Sequence, residues 1–193
     1  MSDTVSFFRA WMSNPLRVAS VVPSGQALAE GITREIGFAQ APVIELGPGT
    51  GVFTRQLIAN GVPEDRLVLI EYGANFASLL ERRFPKSTVL QADAAAVLSE
   101  QFAFGKAGAV VSGLPILSMP TRQVFAILDG AFRNLRPGGA FYQFTYAMRC
   151  PVSRHVLDRL DLKAQRIGWV LANLPPAQIY RFTKRRPRNA EQE

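Results

Sequence analysis

The sequence predicts a single α/β domain built on a doubly wound, mostly parallel sheet. Three observations carry that prediction. Short apolar runs alternate with helical periodicity from residue 43 onward, a glycine-rich turn follows the first of those runs, and two strand-like runs close the chain around Pro175-Pro176. With 193 residues, 48% hydrophobic and 19% charged, the chain has the length for one buried core and is neither a disordered polyelectrolyte nor a membrane-spanning protein in its average character. Cys150 is the only cysteine, which excludes an internal disulfide and a thiolate metal cluster. No metal-ligand spacing appears, so no metal is expected. The net charge of +7 predicts a surface field that draws phosphate, whether on nucleic acid or on anionic lipid.

The elements follow in order. Residues 6–14 place Phe7, Phe8, Trp11 and Met12 at helical spacing beside Arg9 and stop at Pro15, an aromatic amphipathic helix. A loop is expected around Val22-Pro23-Ser24-Gly25, then a helix over 26–36 with Leu28, Ile32 and Ile36 on one face. Strands are expected over 43–46, 67–71, 88–91, 109–112 and 140–146, separated by helices over 51–60, 75–84 and 121–135. Leu135-Arg136-Pro137-Gly138-Gly139 reads as a turn that launches the fifth strand. A helix over 153–160 carries the lone histidine, His155, in a surface role rather than as a base. Runs over 169–173 and 178–183 predict an antiparallel hairpin. The chain divides into an N-terminal helical segment (1–40, a lid or membrane contact), the main domain (41–184) and a basic and polar tail (185–193).

The chemistry concentrates at strand ends. In Val43-Ile44-Glu45-Leu46-Gly47-Pro48-Gly49-Thr50-Gly51 the glycines allow a ligand close to the backbone, yet their G-x-G-x-G spacing differs from the G-x-G-x-x-G of a pyrophosphate turn, and Glu45 repels phosphate. An acid there suits a cation, namely the ammonium and sulfonium of S-adenosylmethionine. Glu71 ends the next apolar run about 20 residues on, placed to accept both ribose hydroxyls. Asp93 and the Ala94 amide, after the third run, are placed to read an adenine edge.

Those three segments, with the Leu-Arg-Pro-Gly-Gly turn, resemble the class I S-adenosylmethionine-dependent methyltransferases. That resemblance implies a Rossmann-like sheet of seven strands with an antiparallel C-terminal strand. It also implies a cofactor set of Glu45, Gly47, Gly49, Gly51, Glu71, Tyr72, Asp93, Ala94 and Ser112. Phe-Phe-Arg-Ala-Trp, Asn14-Pro15, Val22-Pro23-Ser24, Ser112-Gly113-Leu114-Pro115 and Gln143-Phe144-Thr145-Tyr146 narrow it to the bacterial phospholipid N-methyltransferases, which act on phosphatidylethanolamine and its methylated intermediates towards phosphatidylcholine. Methylation of ornithine lipid is a related activity. The rRNA adenine dimethyltransferases are similar, but Ser112 and Ile116 stand where an Asn and an aromatic ring would hold a flipped base, so nucleic acid and small amines are the alternative acceptors.

An amine with a pKa of about 10 must lose its proton before attacking a methyl group, and each methyl added makes a cation that aromatic faces hold better than hydrogen bonds do. Tyr146 is therefore the expected catalytic contact, with Tyr142, Phe144 and Trp11 as further candidates. Phe8, Trp11, Ser24 and Leu114 are the expected substrate and membrane contacts. Arg181, Lys184, Arg185, Arg186 and Arg188 form a basic cluster suited to an anionic membrane surface. The expectation is a monomer without a protein partner, cytoplasmic and peripherally associated with the inner membrane.

Overall fold

The computed structural model describes residues 22–100, 102, 105–171 and 176–185. Phe8, Trp11 and the predicted helix over 6–14 lie outside the described residues, as do Arg186 and Arg188. Helices α1 (Val22–Thr33), α2 (Val52–Ala59), α3 (Ala74–Arg83), α4 (Ala94–Val97), α5 (Thr121–Asn134) and α6 (Arg154–Arg159) alternate with strands β1 (Val43–Leu46), β2 (Leu67–Glu71), β3 (Thr88–Gln91), β4 (Ala107–Ser112) and β5 (Leu135–Thr145). Strands β6 (Leu162–Val170) and β7 (Ala177–Lys184) complete one seven-stranded sheet of order β3-β2-β1-β4-β5-β7-β6. Strands β1 to β5 pair in parallel, and β7 runs antiparallel to both β5 and β6.

Burial explains why the first strands are so plain in sequence. Every residue of β1, β2 and β4 is buried, since helices cover both faces of a parallel sheet. Alternate residues feed two cores. Ile44, Leu46, Val68 and Ile70 meet Leu98, Ile127 and Leu128 on one side, while Val43, Leu67, Leu69 and Val111 meet Leu28, Ile32, Leu57 and Leu80 on the other.

Three expectations are corrected. Val22-Pro23-Ser24-Gly25 is the first turn of α1 rather than a loop, because a proline in that turn gives up an N–H that has no helical partner. Leu135 to Gly139 is a bulge within β5 rather than a turn before it: Ala107 pairs with Leu135 and Ala109 already pairs with Ala140, so Arg136 to Gly139 loop out of the ladder. The sixth strand spans Leu162–Val170, ending where the predicted run over 169–173 had only begun. Its exposed Lys163, Gln165 and Arg166 hide the strand from a search for apolar runs, as befits a sheet edge.

Candidate active site

The turn between β1 and α2 is held from both sides. Gly47 N–H donates to the Ile70 carbonyl at 2.9 Å and Gly51 N–H to the Pro48 carbonyl at 2.8 Å. At Gly51, φ is +78° and a Cβ would come within 2.5 Å of the Phe84 ring, so only glycine lets α2 start here. At Gly49, φ is +56° and the place of a Cβ has nothing within 4 Å, which leaves this backbone open to a ligand. Leu114 lies against Gly47, 2.9 Å from where its Cβ would stand.

Two carboxylates back the turn. Glu71 accepts from Gly49 N–H at 3.0 Å and from Gly73 N–H at 2.9 Å, so the acid expected to clamp a ribose also ties the β2 end to the glycine turn. Glu45 is fully buried. One of its oxygens accepts from the Thr54 hydroxyl at 2.7 Å, and the other has no partner among the described residues. Burial, with the nearby Glu71 charge adding to it and Thr54 opposing, pushes the Glu45 carboxyl up to about 8. A cation over the turn would supply the missing interaction and ionise the acid. The residues present thus fit the ammonium and sulfonium of S-adenosylmethionine.

Asp93 caps α4, accepting from Ala95 N–H at 2.9 Å and Ala96 N–H at 3.1 Å through one oxygen. This brings Ala94 to the first position of the helix, beside the ends of β2 and β3. Tyr72 follows Glu71 and is 78% exposed, its ring open to a ligand. Ser112 is buried at the end of β4, accepting from Leu114 N–H at 3.2 Å, while Gly113 N–H donates to the Leu46 carbonyl at 2.8 Å. Gln143 Nε2 donates to the Leu114 carbonyl at 3.0 Å. The Ser-Gly-Leu-Pro loop is hooked to the glycine turn on one side and to β5 on the other.

At the end of β5 the structure gathers aromatic rings. Phe144 meets Tyr146 edge-on at 5.6 Å between centroids and Phe53 at 6.1 Å. Phe53 sits in the first turn of α2, directly after the glycine turn, and the sequence reading overlooked it; an aromatic residue two places beyond Gly51 was the available signal. Tyr142 is not part of this group. Its ring is 4% exposed and its hydroxyl donates to Glu35 at 3.2 Å beside Arg181. Burial and the Glu35 charge push that hydroxyl up to about 12. Ser24 lies in the first turn of α1, and His155 is exposed on α6.

The basic cluster is engaged within the fold where it is described. Arg181 pairs with Glu35 at 3.0 Å and donates to Gln165, Lys184 donates to the Leu160 carbonyl at 2.7 Å, and Arg185 pairs with Asp158 at 2.5 Å. Among the described residues no group of histidine, cysteine and acidic side chains forms a metal site, and no helix is long and apolar enough to cross a membrane.

Comparison with known proteins places this geometry. Residues 43–139 match the family described as a methyltransferase domain. The chain is 31% identical over 189 residues to an ornithine lipid N-methyltransferase of Singulisphaera acidiphila, covering 93% of this chain and 95% of that protein. Its fold is similar to a TehB-like methyltransferase from Corynebacterium glutamicum, with a TM-score of 0.65 and 15% identity over 92% of this chain and all of that one. It is similar also to the N-methyltransferase NodS of Bradyrhizobium japonicum, with a TM-score of 0.63 and 16% identity over 83% of this chain and 96% of that one. Sheet order, glycine turn and sequence likeness agree: the chain belongs to the class I S-adenosylmethionine-dependent methyltransferases.

Proposed function

We propose that this enzyme N-methylates the amine of a membrane-lipid headgroup, phosphatidylethanolamine and its methylated intermediates first among them. The observation that carries the reading is likeness, over almost the whole of both chains, to a protein that methylates a lipid amine. That same likeness favours ornithine lipid as a second acceptor, and both share a primary amine on a lipid anchored in a bilayer.

The cofactor, when bound, supplies an electrophilic methyl group on sulfur. In this reading Glu71 accepts the ribose hydroxyls while holding the glycine turn, and Asp93 with the Ala94 amide reads the adenine beside Tyr72. Glu45, Gly47, Gly49 and Gly51 face the methionine end, with Ser112 below it and Leu114 bordering the acceptor. Phe53, Phe144 and Tyr146 form the wall the acceptor amine approaches. An apolar aromatic wall weakens hydration of an ammonium, which eases loss of the proton that blocks its lone pair. The same ring faces hold the methylated cation as donors disappear from it, so one wall serves successive transfers.

Expression in a bacterium that makes phosphatidylethanolamine but neither its methylated forms nor ornithine lipid tests the reading by mass spectrometry of extracted lipid. Additions of one to three methyl groups to phosphatidylethanolamine support it. Supplying ornithine lipid to the same cells and finding methyl groups only there selects the second acceptor. Unchanged lipids in both, with active protein present, contradict it.

A further inference from the structure

Three large apolar side chains stand exposed at one corner: Met148 at 77%, Leu171 at 76% and Trp169 at 41%. Met148 lies just beyond β5, Trp169 is the last but one residue of β6 and Leu171 follows its end. Thr145 pairs with Gln178, and Gln178 pairs with Trp169, so this corner shares the sheet end that carries the glycine turn. A bulge arranges it. Arg166 pairs with Tyr180 and Trp169 with Gln178, so three steps along β6 match two along β7. Residues 178 and 180 share a face, and the extra residue therefore turns Trp169 onto the face of Arg166. The Arg166 guanidinium lies 5.0 Å over the Trp169 ring, and Gln178 Nε2 reaches Met148 Sδ at 3.8 Å.

The same face continues, through Tyr180, into a cavity of about 490 Å³ floored by Leu157, Leu162, Ala164 and Cys150 and rimmed by Arg154, Lys163 and Arg185. The hairpin carries no acid; its Arg181 and Lys184 are engaged by Glu35 and the Leu160 carbonyl, Lys163 and Arg166 have no ion pair among the described residues, and Arg149 is exposed beside Met148. Exposed apolar chains, a tryptophan under a guanidinium, and Arg149 and Arg166 without an ion pair among the described residues match the anionic interface of a bilayer better than a protein surface, which would need acids to answer these cations.

We propose that this corner docks on an anionic bilayer, with Met148, Trp169 and Leu171 entering the interface and Arg149 and Arg166 meeting lipid phosphates. The proposal rests on the lipid-acceptor reading and gives it a geometry: the docking strand β6 lies two strands from β5, roughly 10 Å from the strand that Tyr146 follows.

The full chain with Trp11→Phe leaves Trp169 as the sole tryptophan. Added vesicles of phosphatidylglycerol and phosphatidylcholine are expected to shift its emission to the blue, and bromine-labelled lipid to quench it. The variant Met148→Ser/Trp169→Ser/Leu171→Ser is expected to bind those vesicles at least about tenfold more weakly. Its methyl transfer to vesicle lipid should fall in parallel, while transfer to a short-chain, monomeric lipid of the same headgroup stays within about twofold and shows the fold intact. Unshifted Trp169 emission, or vesicle binding by the triple variant equal to wild type, overturns the proposal. A wild-type dimer that the variant splits, without any vesicle effect, overturns it in favour of a contact between copies. If no lipid is methylated but emission shifts and the variant loses binding, docking stands and the acceptor reading falls.

Discussion

The two halves of the sheet are opposites in charge. Strands β1 to β4 carry Glu45 and Glu71 and no cation, whereas β5 to β7 carry Arg136, Lys163, Arg166, Arg181 and Lys184 and no acid. One continuous set of backbone hydrogen bonds joins them, so the contrast comes from side chains alone. In the proposed function, this contrast lets a single layer divide labour between a cationic methyl donor and an acceptor that carries phosphate.

The largest test of that contrast is the buried acid. The unfolded Glu45 carboxyl ionises near 4.5 and the folded one near 8. Stability is therefore full below pH 4.5 and falls as pH rises through 8. Against Glu45→Gln, the wild-type protein should lose a few kcal/mol across that range in urea titrations. S-adenosylmethionine added at pH 8 should restore more stability to wild type than to the variant.

Next comes Glu71→Ala, which removes a charged acceptor from Gly49 and Gly73 and, in the proposed function, from the ribose. At about 1.5 kcal/mol for each of the two bonds proposed to the ribose hydroxyls, calorimetry should find cofactor affinity reduced roughly a hundredfold, with vesicle binding unchanged. At the aromatic wall, Phe53→Ala or Tyr146→Ala should lower kcat/KM about tenfold for an already dimethylated amine, where in the proposed function a cation rests on the rings, and less for the primary amine. An equal loss for both acceptors would reduce the rings to packing. The smallest effect belongs to His155→Ala, expected to leave kcat within about twofold because that side chain is exposed on α6.

The same division decided how much the sequence disclosed. Strands β1 and β2 are read to the residue, because a strand buried between helices is a plain apolar run with its end marked by Gly47 or Glu71, and the half-exposed edge strand β3 is read from its Thr-Val-Leu run and the Gln91–Asp93 turn that ends it. In the other half, β6 alternates exposed cations with half-buried residues, and Pro137-Gly138-Gly139 imitates a turn while forming a bulge. Glu45 and Glu71 were legible as acids at strand ends, but the bond that Glu71 accepts from Gly49 was not, since it joins residues 22 apart in sequence. The partnership of Phe53 with Phe144 depends in the same way on how α2 lies on β5.

Methyl transfer from labelled S-adenosylmethionine to vesicles of phosphatidylethanolamine with phosphatidylglycerol, run beside ornithine lipid vesicles and beside rRNA, tests the central claim most directly. Label in the headgroup amine of either lipid, and none in RNA, is the predicted result. Label in RNA alone would contradict it and make the basic half of the sheet a nucleic-acid surface.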